Sequence, residues 1–102
     1  MKTIFKYPEG QLYSIGHYKN KLKHGTWYEY YSNGNLLSVG RYVDDIETGH
    51  WIEYYRNGQK WCEGNYINGQ KEGLWIFWHT DGKLWSKTKY VNGSPKDEQI
   101  SR

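Results

Sequence analysis

Glu29 and Glu53 stand one sequence repeat apart, Glu29 between Tyr28 and Tyr30 and Glu53 beside Tyr54, and paired acids of this kind could share acid–base work. Four histidines, His17, His24, His50 and His79, and one cysteine, Cys62, complete the groups able to carry chemistry. None of them falls in a pattern that chemistry requires. The histidines sit at different offsets and lack the spacing of metal ligands; His17 and His79 share columns with Arg41 and Tyr55. Phe5 and Phe77 fill the glutamate column in the end units. A single cysteine excludes an intramolecular disulfide and a thiolate metal cluster. Its column partners Ser14, Ser38 and Ser86 mark it as a packed small residue rather than a nucleophile. Every glycine is explained by a hairpin or a connector, which leaves no phosphate-cradling loop. The expectation is a non-enzymatic chain with no cofactor and no metal.

The same residues lie in an internal repeat of twenty-four. Gly25, Gly49 and Gly73 head successive units, followed by Trp27, Trp51 and Trp75 and then by the turn glycines Gly34, Gly58 and Gly82. A shorter first unit keeps the frame with Gly10, and the units close on Tyr18, Tyr42, Tyr66 and Tyr90. A further column holds Gly16, Gly40, Gly64 and Thr88. A period in this range denotes a stacked array. The expected organisation is one repeat domain over 1–95, with units at about 1–24, 25–48, 49–72 and 73–95, and a disordered tail over 96–102.

The chain has 102 residues and few aliphatics, so its nineteen aromatic residues, six of them tryptophan, must supply most of the buried area. No stretch is long or apolar enough to span a bilayer as a helix, and the start lacks the apolar core of a secretion signal, so the expected compartment is the cytoplasm. The net charge of +3 is uneven: residues 1–24 carry +4, 25–48 carry −3, 49–72 carry zero and 73–102 carry +2. The basic connector Lys19, Lys21 and Lys23 gives way to the acidic connector Asp44, Asp45 and Glu47, which argues against the continuous basic track that nucleic acid needs.

Each unit has two aromatic runs about a turn: Pro8-Glu9-Gly10-Gln11, Ser32-Asn33-Gly34-Asn35, Arg56-Asn57-Gly58-Gln59 and Thr80-Asp81-Gly82-Lys83. Asn-Gly and Asp-Gly accept the positive φ of a tight hairpin. Recurrent glycine and the aromatic and β-branched flanks disfavour helix. The predicted fold is all-β, with four stacked antiparallel hairpins in an elongated, curved single-layer sheet. A two-residue loop at Asn33-Gly34 would set Trp27 opposite Gly40 and Tyr31 opposite Leu36, and by the same rule Trp51 opposite Gly64, each large ring filling the gap over a glycine.

Strand alternation would then sort the unit into two faces. One carries Trp27, Glu29, Tyr31, Leu36, Ser38, Gly40 and Tyr42 and scarcely changes between units, as stacking requires. The other varies, with Tyr28, Tyr30, Leu37, Val39 and Arg41, then Ile52, Tyr54 and Trp61, then Ile76, Trp78 and Trp85. On it Trp61 would pair with Tyr54 and Trp85 with Trp78. A strip of exposed tyrosine and tryptophan marks an interaction site, and a one-residue register error would exchange the faces.

The series from Gly49 through Trp51 to Asn57-Gly58, and that from Tyr66 through Asn68-Gly69 and Gly73 to Trp75, resemble the MORN repeat, in particular its bacterial variant, over about residues 1–95. The resemblance implies hairpins stacked in a single sheet. It also implies a binding role: short bacterial members of this branch are commonly classed as antitoxins, and other MORN proteins are implicated in protein assembly or contact with acidic phospholipid. Thr3 in place of Trp and Thr88 in place of Gly depart from the pattern, as terminal caps would.

The leading expectation is therefore an immunity protein, antitoxin or similar inhibitor that covers a toxin, effector or defence enzyme. Its contact residues would be Tyr28, Tyr30, Tyr54, Trp61, Trp78 and Trp85, with Asp44, Asp45 and Glu47 steering a basic partner. The alternative is attachment to an acidic membrane or nucleic acid through Lys19, Lys21, Lys23, Lys87 and Lys89. Self-association, as a homodimer, through open strand edges at Ile4 to Tyr7 and Leu84 to Tyr90 is a third reading.

Overall fold

The computed structural model describes residues 2–100. They form nine antiparallel strands in one sheet whose spatial order is the chain order. The strands are β1 (Lys2–Lys6), β2 (Leu12–Lys19), β3 (Leu22–Tyr30), β4 (Leu36–Val43), β5 (Ile46–Tyr54), β6 (Lys60–Ile67), β7 (Gln70–Trp78), β8 (Leu84–Val91) and β9 (Ser94–Ile100). Nine strands at the usual spacing of about 4.8 Å span roughly 38 Å, close to the longest dimension of the 41 × 31 × 14 Å molecule. The sheet is thus a single layer.

Two kinds of turn alternate along it. Within each unit, Gly34 N donates to Tyr31 O (2.9 Å) and Tyr31 N donates to Asn35 O (2.8 Å), and Gly34 has φ of +92°. This is a three-residue loop with glycine in the left-handed position, not the two-residue loop expected at Asn33-Gly34. The two-residue turns lie instead at the connectors. Both central residues have positive φ at Asn20-Lys21, Asp44-Asp45, Asn68-Gly69 and Asn92-Gly93, the conformation whose twist matches the flanking strands.

The longer loop has a consequence for register. Trp27 does lie opposite Gly40, and Glu29 opposite Ser38, but Tyr30 rather than Tyr31 faces Leu36, so Leu37 is an extra residue in a bulge. The same shift sets Tyr54 opposite Lys60 and Trp78 opposite Leu84. The expected pairs Tyr31 with Leu36, Tyr54 with Trp61 and Trp78 with Trp85 are therefore replaced.

The core is a line of three tryptophans. Trp75 is fully buried, and Trp27 and Trp51 nearly so. Each pairs in register with the small residue of its own hairpin, yet its ring covers the glycine of the hairpin before: Trp27 over Gly16, Trp51 over Gly40 and Trp75 over Gly64, where a Cβ would overlap the indole atoms. The indole Nε1 then donates to a carbonyl on that earlier hairpin: Trp27 to His17 O (2.9 Å), Trp51 to Arg41 O (3.1 Å) and Trp75 to Asn65 O (2.9 Å). Burying an indole of about 200 Å² at about 25 cal/mol per Å² is worth roughly 5 kcal/mol, so each staple outweighs any single cross-strand pair. A second series ties the loop ends, with the Tyr7, Tyr31 and Tyr55 hydroxyls donating to Tyr30 O (3.0 Å), Tyr54 O (2.6 Å) and Trp78 O (2.7 Å).

At the far end the structure departs from the expected tail over 96–102. Asn92-Gly93 turns the chain back onto β8, and Ser94 pairs with Val91 as β9 begins. Pro95 is tolerated there because β9 is the outermost strand. Residues 101 and 102 of that expectation lie outside the described residues. The stretch Leu84 to Tyr90 is covered by β9, so the open edges among the described strands are β1 and β9.

Candidate functional site

The bulge in each unit redistributes the aromatic residues expected to form one strip. Trp61 sits against Tyr55, with ring centroids 6.2 Å apart, and Trp85 against Phe77 (6.5 Å) and His79 (5.5 Å). Phe77 in turn packs on Trp75 (6.5 Å). Trp61 and Trp85 therefore belong to the tryptophan face of the sheet, whereas Tyr28, Tyr30, Tyr54 and Trp78 stay on the opposite face.

That opposite face holds a row of residues in mutual register across eight strands. Ile4 faces Ile15, Ile15 faces Tyr28, Tyr28 faces Val39, Val39 faces Ile52, and the row continues through Glu63 and Ile76 to Lys87. Ile4 and Tyr28 are exposed, and Ile15, Val39, Ile52 and Ile76 only partly covered. In a single-layer sheet no second layer of the described residues covers them. Beside the row, Tyr54, Lys60 and Trp78 border an open hollow of about 410 Å³, with Lys60 Nζ 5.6 Å from the Trp78 ring centroid. At the other end a hollow of about 250 Å³ is lined by Leu12, Ile15, Tyr28 and Tyr30. Strand alternation, with the repeat, identifies Tyr28, Ile52 and Ile76 as residues of one face. Placing Ile15 beside Tyr28 and Val39 beside Ile52 requires the pairing across connectors, here at the residue pairs Asn20-Lys21 and Asp44-Asp45.

Charges on this face pair locally. Glu63 accepts from Lys60 Nζ (2.7 Å) and contacts His50 Nε2 (2.8 Å). Burial alone would raise its pKa, but those two hydrogen bonds hold the carboxyl below the usual glutamate value.

The acidic connector is divided. Asp44 and Asp45 form a turn, and Asp45 is used structurally: its Oδ1 accepts from Lys23 N (2.6 Å) while its own N donates to Lys23 O (2.9 Å). Glu47 stands on the tryptophan face, opposite Tyr42. There it joins Glu29 and Glu53. Burial first, then Glu29 and Glu47, pushes the Glu53 carboxyl above its ordinary value, although Lys71 opposes the shift. Burial, reinforced by nearby acidic side chains, pushes the phenols of Tyr42 and Tyr66 up to about 12. Cys62, opposite Glu53, is buried and its thiol is pushed up to about 12, chiefly by burial and then by Glu53. A thiol of this kind is protonated at neutral pH and is a packing group.

The basic residues do not converge. Lys23 is 3.9 Å from Glu29 and lies over the rings of Trp27 (4.9 Å) and Tyr42 (5.0 Å). Lys19 ends β2 and Lys21 lies in the β2–β3 connector, while Lys87 and Lys89 are on β8, on the face opposite the tryptophans. Among the described residues, no group of three or more His, Cys, Asp or Glu side chains is placed to hold a metal ion, and no helix is long and apolar enough to cross a membrane.

Against the curated proteins the chain finds no match. The family model of the MORN repeat variant matches four times, at residues 2–20, 23–44, 47–68 and 71–92, each match taking in one connector-to-connector unit of the sheet. With hairpins of this register stacked by tryptophan over glycine along most of its length, the chain belongs to the MORN repeat variant family.

Proposed function

We propose that this protein is a non-enzymatic binding module that covers another protein, in the manner of an immunity protein or antitoxin occupying a toxin or effector. The observation that carries the reading is the in-register row Ile4, Ile15, Tyr28, Val39 and Ile52, left without a second layer on the face opposite the tryptophans. A sheet surface of this kind is costly to leave in water. Its borders, Tyr30, Tyr54 and Trp78, are residues that give large contact area for little rotamer entropy. The area available also suits a protein: a face of 41 × 31 Å exceeds the roughly 800 Å² that each partner contributes to a stable interface. The dispersed lysines favour this over attachment to an acidic membrane or nucleic acid, which profits from one continuous basic surface.

The test is rescue of growth when the chain is co-expressed with a toxic protein whose gene neighbours its own. Trp78→Ala should weaken the complex by about 2 kcal/mol, or roughly thirtyfold, with little change in melting temperature. Trp61→Ala, on the other face, should leave affinity within about twofold. Loss of rescue with Trp61→Ala and not with Trp78→Ala would put the contact on the tryptophan face, and no rescue by the parent chain would end the inhibitor reading.

A further inference from the structure

The two faces of the layer differ in charge. On the tryptophan face Glu29, Glu47 and Glu53 stand against Lys23 and Lys71, and both lysines lie over rings. On the opposite face, register places Lys2 with His17, Arg41 with Thr26, Lys87 with Ile76 and Lys89 with Leu74. These four cations are exposed. Two acids of that face are already engaged: Glu63 meets Lys60 (2.7 Å) and His50 (2.8 Å), and the Glu72 carboxylate accepts from Asn92 N (2.9 Å). Among the described residues, Lys2, Arg41, Lys87 and Lys89 make no ion pair. The acidic connector does not offset them there, since Asp45 is bonded to Lys23 N and Glu47 stands on the other face.

The cations border the apolar row. Lys2 stands two places from Ile4 on β1 and Arg41 two places from Val39 on β4, both on the connector side of the row. Three strand spacings separate them, or about 14 Å. A DNA duplex carries one charge per about 1.7 Å of its axis, so cations this sparse match a polyanion poorly. The surface between them is apolar, and it includes the hollow of about 250 Å³ lined by Lys2, Leu12, Ile15, Tyr28 and Tyr30. That volume is below the roughly 300–1,000 Å³ of small-molecule sites. It suits one apolar side chain, with Lys2 at its rim. A second copy of the chain would bring the same unpaired cations against this face, and like charges across an interface oppose docking.

We infer that the partner meets this face with an acidic protein surface, whose carboxylates pair with Lys2 and Arg41 while an apolar side chain between them enters the hollow over Ile15 and Tyr28. The inference deepens the binding-module reading above and rests on it. It adds the partner's charge and the strands, β1 to β4, that meet it.

The probe is the peptide acetyl-Glu-Leu-Glu-Phe-Glu-Leu-Glu-amide, added to the intact chain. Its controls carry lysine at every glutamate, or serine at every apolar position. Methyl resonances of Ile15 and Val39 are followed by NMR, with the Trp51 indole reporting on the other face. A saturable shift at Ile15 and Val39 and none at Trp51 is expected, with affinity about tenfold or more above either control. Raising salt to about 1 M, where the screening length is about 3 Å, should weaken it severalfold. The double variant Lys2→Glu with Arg41→Glu, changed at exposed positions, should melt with the parent and prefer the lysine peptide. Absence of a shift, a shift at Trp51, or equal binding of either control would overturn the inference. So would tighter binding of a thymidine oligonucleotide or of phosphatidylserine vesicles than of the acidic peptide. Acidic-peptide binding with failed growth rescue would remove only the inhibitor reading. Rescue that persists undiminished in the charge-reversed variant would remove only the acidic preference.

Discussion

Trp51 faces Gly64 across its own hairpin, yet its indole lies on Gly40 of the hairpin before. One residue thus serves two relations: its backbone completes one unit and its ring closes the gap to the previous one. Among the described residues the sheet has no second layer to lean on, so the contact between units must be made within the sheet itself. A large flat ring over bare backbone is a way to do this.

Gly40→Ala is accordingly expected to be among the most damaging single-methyl changes in the chain. Its Cβ would occupy the space of the Trp51 indole, with backbone beneath and no room for the ring to shift without breaking its bond to Arg41 O. A loss of about 3 kcal/mol is expected, at the upper end of overpacking costs, read from chemical denaturation. The control lies in the same column: Thr88 already carries a branched side chain there, buried and 3.5 Å from the Ser86 hydroxyl. Thr88→Ala should cost only about 1 kcal/mol.

The glycine column and the tryptophan column are both legible as sequence, and so is their pairing within a hairpin. Which glycine each ring covers is not, because that depends on the tilt of the indole between strands rather than on register. The faces were legible on both sides of the bulge but not at it. Alternation carries correctly from Trp27 to Tyr30, and the equivalent loops of three residues rather than two at Arg56-Asn57-Gly58 and Thr80-Asp81-Gly82 transfer Trp61 and Trp85 to the tryptophan face. Asn-Gly fits both loop lengths, since each needs a residue at positive φ, and nothing local distinguishes them. The connectors carried a signal that the loops outshone: Asn68-Gly69 and Asn92-Gly93 are the same dipeptide in the two-residue turn.

The first two connectors depart from that dipeptide, which gives a test of the turn assignment. Lys21 has φ of +68°, a conformation that costs a side-chain-bearing residue about 1–2 kcal/mol and glycine nothing. Allowing for the greater freedom glycine loses on folding, Lys21→Gly should stabilise the chain by about 0.5 kcal/mol. Asp45→Gly, at a φ of +70°, relieves the same strain but removes the carboxylate bonded to Lys23 N at 2.6 Å. A cap-like hydrogen bond of this kind is worth about 1 kcal/mol, so that change should be neutral or destabilising. Thermal melts of the two variants, taken side by side, check the difference in sign.

Two glutamates should move stability with pH in opposite directions. Glu53 is held above its ordinary value, mainly by burial. The folded state therefore binds its proton more tightly than the unfolded chain, and stability falls as pH rises from the ordinary glutamate value through the raised one. Glu63 is held below that value: burial works against the shift, and the hydrogen bonds from Lys60 and His50 overcome it. Its contribution is present above the ordinary value and is lost as pH falls through the lowered one. Glu53→Gln should then melt higher than the parent at pH 7, with the two curves converging in acid. Glu63→Gln should melt lower at pH 7 and converge with the parent at more acid pH, below the ordinary glutamate value. Because the carboxylates lie on opposite faces of one layer, the double variant should show the two effects added; a Glu53→Gln protein less stable than the parent at pH 7 would mean that Lys71 outweighs burial at that position.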